Sequence, residues 1–152
     1  MEQTEVAGVL WRDERGDIVG VAGLSVVASR HELWMVGRQF WTWCAKDALG
    51  ILAALKSDCR VISQSPETGA ELTVDIEAGN PAASRLALFM AASNECCSVY
   101  DDRCPTVNLF EDREIARSWA TKQAIEGSEM SIDGASALGA QAWGPLVPGS
   151  GL

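Results

Sequence analysis

The fold class that the sequence predicts is α+β, with mixed or antiparallel strands and about three helices. Runs rich in β-branched residues recur along the chain and are separated by short polar turns with glycine or proline, the pattern of hairpins. Stretches with apolar residues at helical spacing interrupt them. With 47% hydrophobic residues in 152, the chain has apolar material for one core, and no repeat or composition shift divides it. The expected organisation is one domain over residues 1–143 and a flexible Gly/Pro/Ser-rich tail over 144–152.

The elements follow in order. Val6–Trp11 and Ile18–Val27 flank the polar turn Arg12-Asp13-Glu14-Arg15-Gly16-Asp17 and form a hairpin. His31–Val36 and Gln39–Trp43 are two further strands around Gly37-Arg38. At Cys44 the period changes: Ala48, Leu49, Leu52 and Leu55 predict a mostly buried helix over Ala45–Leu55. Val61–Gln64 and Glu71–Ile76 flank Pro66-Glu67-Thr68-Gly69 as a second hairpin. Gly79-Asn80-Pro81 breaks the chain before the short apolar strand Leu86–Ala92. A loop over Ser93–Pro105 precedes the strand Thr106–Phe110. Asp112–Gln123 is an amphipathic helix with Ile115, Ala116 and Trp119 on one face and acidic residues at its start, where the dipole favours them. Glu126–Glu129 reads as a linker, and Ser131 as the N-cap of a last helix reaching Trp143.

Composition narrows function. Lysine and arginine total 12 against 21 acidic residues, a net charge of −9. That balance repels phosphate backbones, so nucleic acid is an unexpected partner. No apolar run approaches the roughly 18 residues of a membrane span, and the start lacks a basic leader region, so a cytoplasmic protein without membrane attachment is expected. There are five cysteines, Cys44, Cys59, Cys96, Cys97 and Cys104, and one histidine, His31. In a reducing compartment such enrichment indicates metal or thiol chemistry more than disulfides. The spacings match no structural zinc pattern.

Cys44 and Asp47 carry the strongest chemical signal. They lie three residues apart where a helix starts, and so share a face. The positive end of the dipole favours a thiolate at that position. Aromatic walls from Trp41 and Trp43, with Leu52, would desolvate the carboxyl and let it hold a proton near neutrality. A soft nucleophile beside a proton carrier is a plausible reaction centre. A lone cysteine on an apolar helix is more commonly core, however, and an acidic residue in a first turn commonly serves the dipole.

The stretch Trp41-Thr42-Trp43-Cys44-Ala45-Lys46-Asp47-Ala48-Leu49, with the strands leading into it from Gly23, resembles the alkylmercury lyase family's aromatic-Thr-Trp-Cys-Ala-x-Asp-x-Leu motif. Cys104-Pro105-Thr106-Val107-Asn108-Leu109-Phe110 is similar to the family's second-cysteine motif. The likeness runs from about Val6 to Trp143. It implies an alkylmercury-lyase-like core in a short form, since the family's larger members carry an N-terminal helical domain before the first hairpin. It also implies protonolysis of carbon–mercury bonds, with Cys44, Asp47 and Cys104 as catalytic residues and Trp41, Trp43 and Phe110 around the organic group. Mercury is soft, so thiolates are its natural ligands: Cys44 and Cys104 would hold the product ion, with Cys96 and Cys97 as accessory ligands or incidental loop thiols. No cofactor is implied. Implied partners are a small organomercurial, or another small molecule, and exogenous thiols for product release, with a monomer or homodimer as the assembly.

The family's Cys-Pro-x-Thr-Gly turn has Ser65 in place of its cysteine, and Cys59 lies six residues upstream. His31 reads as a structural hydrogen-bonding residue and Lys46 as solvated. Two alternatives stay open: an enzyme of the same fold acting on a non-mercury small molecule, and a non-enzymatic protein binding soft metals through its thiols.

Overall fold

The computed structural model describes residues 10–92 and 106–147. Strands β1 (Leu10–Arg12), β2 (Ile18–Val21), β3 (Leu24–Ser25), β4 (His31–Met35) and β5 (Arg38–Thr42) lead into helix α1 (Ala45–Leu55). Strands β6 (Cys59–Gln64), β7 (Glu71–Glu77), β8 (Asn80–Pro81), β9 (Ala87–Ala91) and β10 (Asn108–Phe110) follow. Helix α2 (Arg113–Lys122), strand β11 (Gly127–Ser131) and helix α3 (Ile132–Trp143) follow, with a 3₁₀ turn at Gly144–Leu146. The first eight strands form one antiparallel sheet in the order β1-β2-β3-β5-β4-β6-β7-β8, and a second sheet runs β10-β9-β11. The α+β expectation holds. No helix among the described residues is long and apolar enough to cross a membrane.

Alternation decides which face of the large sheet is covered. Cys59, Val61 and Ser63 of β6 are buried, as are Leu72, Val74 and Ile76 of β7, while the residues between them are more exposed. A half-buried antiparallel sheet shows this pattern. The buried side takes α1, whose Ala45, Ala48, Leu49 and Leu52 join Leu33, Val61, Val74 and Leu109 in the main core. Full burial of Leu49 or Leu52 is worth about 1.5–3 kcal/mol each.

Three elements differ from the sequence reading. Asn80–Pro81, read as part of a break, is the short strand β8, paired with β7 through Ile76↔Pro81 and Glu77↔Asn80. The run Ile18–Val27 is not one strand but two, folded back at Ala22–Gly23. Glu126–Glu129 is not a linker: residues 127–131 form β11, paired antiparallel with β9 from Gly127↔Ala91 to Ser131↔Ala87. The helix starts were read correctly. Cys44 caps α1, the Asp112 carboxylate accepts from the Ile115 amide at 2.8 Å, and the Ser131 hydroxyl accepts from the Gly134 amide at 3.1 Å.

Helix α3 lies along the other side of α1, and glycines set the distance. A Cβ on Gly139 would fall 2.3 Å from the Gly50 Cα, and one on Gly50 would fall 2.7 Å from the Gly139 Cα. Gly139→Ala tests this contact. Alanine favours a helix over glycine by about 1 kcal/mol. Overpacking against backbone, which no rotamer change relieves, lies near the top of the usual ~1–3 kcal/mol cost. The expected net is a loss of about 2 kcal/mol in chemical denaturation, and an unchanged midpoint would disprove the contact.

His31 is buried, with Nδ1 2.8 Å from the Ser63 hydroxyl. Burial, helped by the positive charge of Arg30, lowers its pKa to about 3. The folded state therefore leaves the ring neutral where the unfolded chain, near pH 6.5, takes up a proton. Stability from this residue is full above pH 6.5 and declines by about 1.4 kcal/mol per pH unit as the pH falls towards 3. Denaturation at pH 6.5 and 5 should show a loss of about 2 kcal/mol that His31→Gln lacks. Equal losses in the two proteins would refute the assignment.

Candidate functional site

The site is built where the large sheet feeds α1. The Thr42 hydroxyl donates to the Cys44 carbonyl at 3.0 Å, and that carbonyl also receives the Ala48 amide at 3.2 Å, the opening bond of the helix. Cys44 itself stays extended, with φ −149° and ψ 169°, as an N-cap must. Asp47 follows in the first turn. The N-cap and the third helical residue stand one turn apart on the same side of the helix, so a thiol and a carboxyl both lie at the positive end of α1. Both are withdrawn from solvent, with Cys44 4% and Asp47 7% exposed.

Two other segments grip this junction through the backbone. From one side, the β2–β3 turn accepts the Trp43 amide on the Gly23 carbonyl at 2.9 Å. The same glycine lies against the acid: a Cβ there would fall 2.6 Å from both Cγ and Oδ2 of Asp47. From the other side, the Val107 carbonyl, just before β10, accepts the Ala45 amide at 3.3 Å. Neither grip was foreseen from the sequence. The Ala22-Gly23 pair was the available signal for the turn, while the Val107 bond had none.

The aromatic residues expected around the organic group are not brought together. Trp43 stays at the junction, half-buried, its ring edge-on to Trp11 at 5.9 Å. Trp41 sits on β5 between Phe40, packed on the main core, and fully buried Thr42. Strand alternation turns it to the opposite face, so it does not wall Asp47. Phe110 is fully buried in a second cluster with Phe89 and Trp119, its ring 5.2 Å from that of Trp119. Its strand neighbour Leu109 faces α1 instead.

The other singled-out residues have structural surroundings. Cys59 is buried on β6, and burial pushes its thiol up to about 11, which disfavours the thiolate needed for reaction. Ser65 is buried in the β6–β7 turn, where its carbonyl accepts the Gly69 amide at 2.8 Å. That turn is tied to the chain after β10: the Thr68 hydroxyl donates to Glu111, and Lys122 pairs with Glu67. Burial opposes ionisation of Glu111, yet hydrogen bonds from Thr68, its own backbone and Ser65 outweigh it and hold the carboxyl below its usual range. Lys46 is not simply solvated, since its ammonium lies 5.9 Å from the centre of the Trp143 ring. Cys96, Cys97 and Cys104 lie outside the described residues. Among the described residues no cluster of three His, Cys, Asp or Glu side chains is placed to hold a metal ion.

Comparison with known proteins gives concordant matches. The family model for alkylmercury lyase matches residues 24–144. The chain is 28% identical to the alkylmercury lyase of Staphylococcus epidermidis over 130 residues, covering 84% of this chain and 59% of that protein. It is 30% identical to the alkylmercury lyase of Pseudomonas putida over 116 residues, covering 72% and 52%. These matches thus span between half and three-fifths of the relatives' length. In fold the chain is similar to the solved mercury-bound form of MerB2, with a TM-score of 0.82 at 21% identity, covering 91% of this chain and 68% of that one.

Proposed function

Because the chain belongs to the alkylmercury lyase family, we propose that it forms the core of an organomercurial lyase, in which Cys44, Asp47 and Cys104 cleave a carbon–mercury bond by protonolysis. The observation that carries this reading is the junction at the start of α1, where a buried thiol and a buried carboxyl stand three residues apart at the positive helix end. The segment after Cys104 supports it. The Val107 carbonyl accepts the Ala45 amide, and Cys104 stands three residues before Val107 in the sequence.

The Cys44 thiolate attacks R–Hg⁺ and forms a mercury–sulfur bond. Cys104 adds its sulfur to the same mercury and gives up its proton to Asp47. Two soft donors enrich the carbon–mercury bond in electrons, and Asp47 passes the proton to carbon as that bond breaks. The hydrocarbon RH leaves, and Hg²⁺ stays on the two sulfurs until exogenous thiols remove it. Every electron pair stays with carbon or sulfur, so the step needs no redox partner. Trp43 supplies the apolar side of the junction.

The test is turnover. Reduced protein is incubated with phenylmercury and excess thiol, and benzene is followed by gas chromatography beside Asp47→Ala. Benzene release that disappears in the variant is the expected result. Mercury retained on the thiols with no benzene would overturn the lyase reading in favour of a thiol-based binding protein.

A further inference from the structure

The β2–β3 turn holds Ala22 at φ 50° and Gly23 at φ 93°. Two successive left-handed residues give the tight hairpin turn that matches strand twist. Glycine adopts this conformation freely, but alanine does not. Contacts of the turn run to the reaction centre: the Gly23 carbonyl to the Trp43 amide, and the Gly23 backbone to the Asp47 carboxyl. A third contact comes from the far end of the chain. The Trp143 indole Nε1, at the last residue of α3, donates to the Ala22 carbonyl at 2.8 Å across 121 residues of sequence. The Trp143 ring is itself wedged against Gly50 of α1, where a Cβ would fall 2.7 Å from it. One indole thus links both helices to the turn that covers the acid.

We propose that Trp143 is a positioning residue for Asp47: its indole N–H anchors the Ala22 carbonyl and so keeps the Gly23 backbone against the Asp47 carboxyl. The anchored turn restricts the carboxyl to one orientation and keeps water off that side. What this means for turnover rests on Asp47 being the proton carrier; the anchoring itself does not.

The experiment uses the full chain with two replacements at position 143. Trp143→Phe removes the donor but also trims the ring that packs on α1. Benzothienylalanine keeps the ring shape and replaces only the N–H by sulfur. Carbon-13 NMR of the Asp47 carboxyl and the Gly23 amide resonance are read without substrate, and kcat and KM with phenylmercury. Both resonances should move in the benzothienylalanine protein, with kcat lowered about 10- to 100-fold and KM and Tm unchanged. Resonances that coincide with wild type would overturn the anchoring, and moved resonances with unchanged kcat would overturn the positioning role. If the wild-type protein releases no benzene, the lyase reading fails, and the spectra still decide the anchoring.

Discussion

Cys44→Ser should abolish carbon–mercury cleavage and leave the fold as firm as before. Cysteine is a poor N-cap, and the Cys44 thiol makes no capping hydrogen bond to α1. Serine is among the best caps, and restoring one is commonly worth about 1 kcal/mol. That gain offsets the cost of burying a hydroxyl in a position only 4% exposed. Chemistry moves the other way. A neutral hydroxyl is a hard donor with little affinity for mercury, so the capturing bond cannot form. Losing a nucleophile of this kind should lower kcat/KM by at least about 10³-fold. Thermal denaturation and benzene release on one protein sample separate the two effects. Activity retained alongside an unchanged melting temperature would remove Cys44 from the mechanism.

Gly23→Ala should damage both stability and activity. The left-handed backbone costs a side-chain-bearing residue about 1–2 kcal/mol, and the new methyl would occupy the space of the Asp47 carboxyl. Either the turn lifts or the acid swings away. Misplacing a reacting group by about 1 Å can cost about 100-fold in rate, and a loss of that order is expected. Gly37→Ala is the matched control: Gly37 has φ 69°, but a Cβ there meets nothing within 4 Å. It should show the backbone cost alone, with kcat unchanged. Equal activity in the two variants would show that the turn does not hold the acid.

How much of this could be read in advance depends on how local each cause is. The start of α1 was legible because the period changes at Cys44, and the Ser131 cap was legible because capping is a short-range bond. Strand β11 was not, since Gly-Ser-Glu-Met-Ser has no strand propensity. Pairing with β9 imposes it. Gly127 is required there because a Cβ would fall 2.3 Å from the Met90 carbonyl oxygen. The β-branched run around Ala22-Gly23 masked a turn whose value lies in what it touches, namely Asp47 and Trp143. Trp41 and Phe110 were misplaced for one reason: nearness in sequence to a site says nothing about which face of a strand a side chain takes.

The glycine contact between α1 and α3 also bears on the order in which the protein can assemble. Strands β2 to β7 pair between near neighbours in sequence and can form as the chain grows. The outer face of α1 waits for residues around Gly139 and Trp143, synthesised some ninety residues after Gly50. Until they arrive the nascent domain presents an apolar helix with no cover, the kind of surface that recruits chaperones or aggregates. The junction at Cys44 and Asp47 is therefore among the last parts to be completed, and a chain ending before α3 would carry the sheet without the Trp143 bond to the β2–β3 turn.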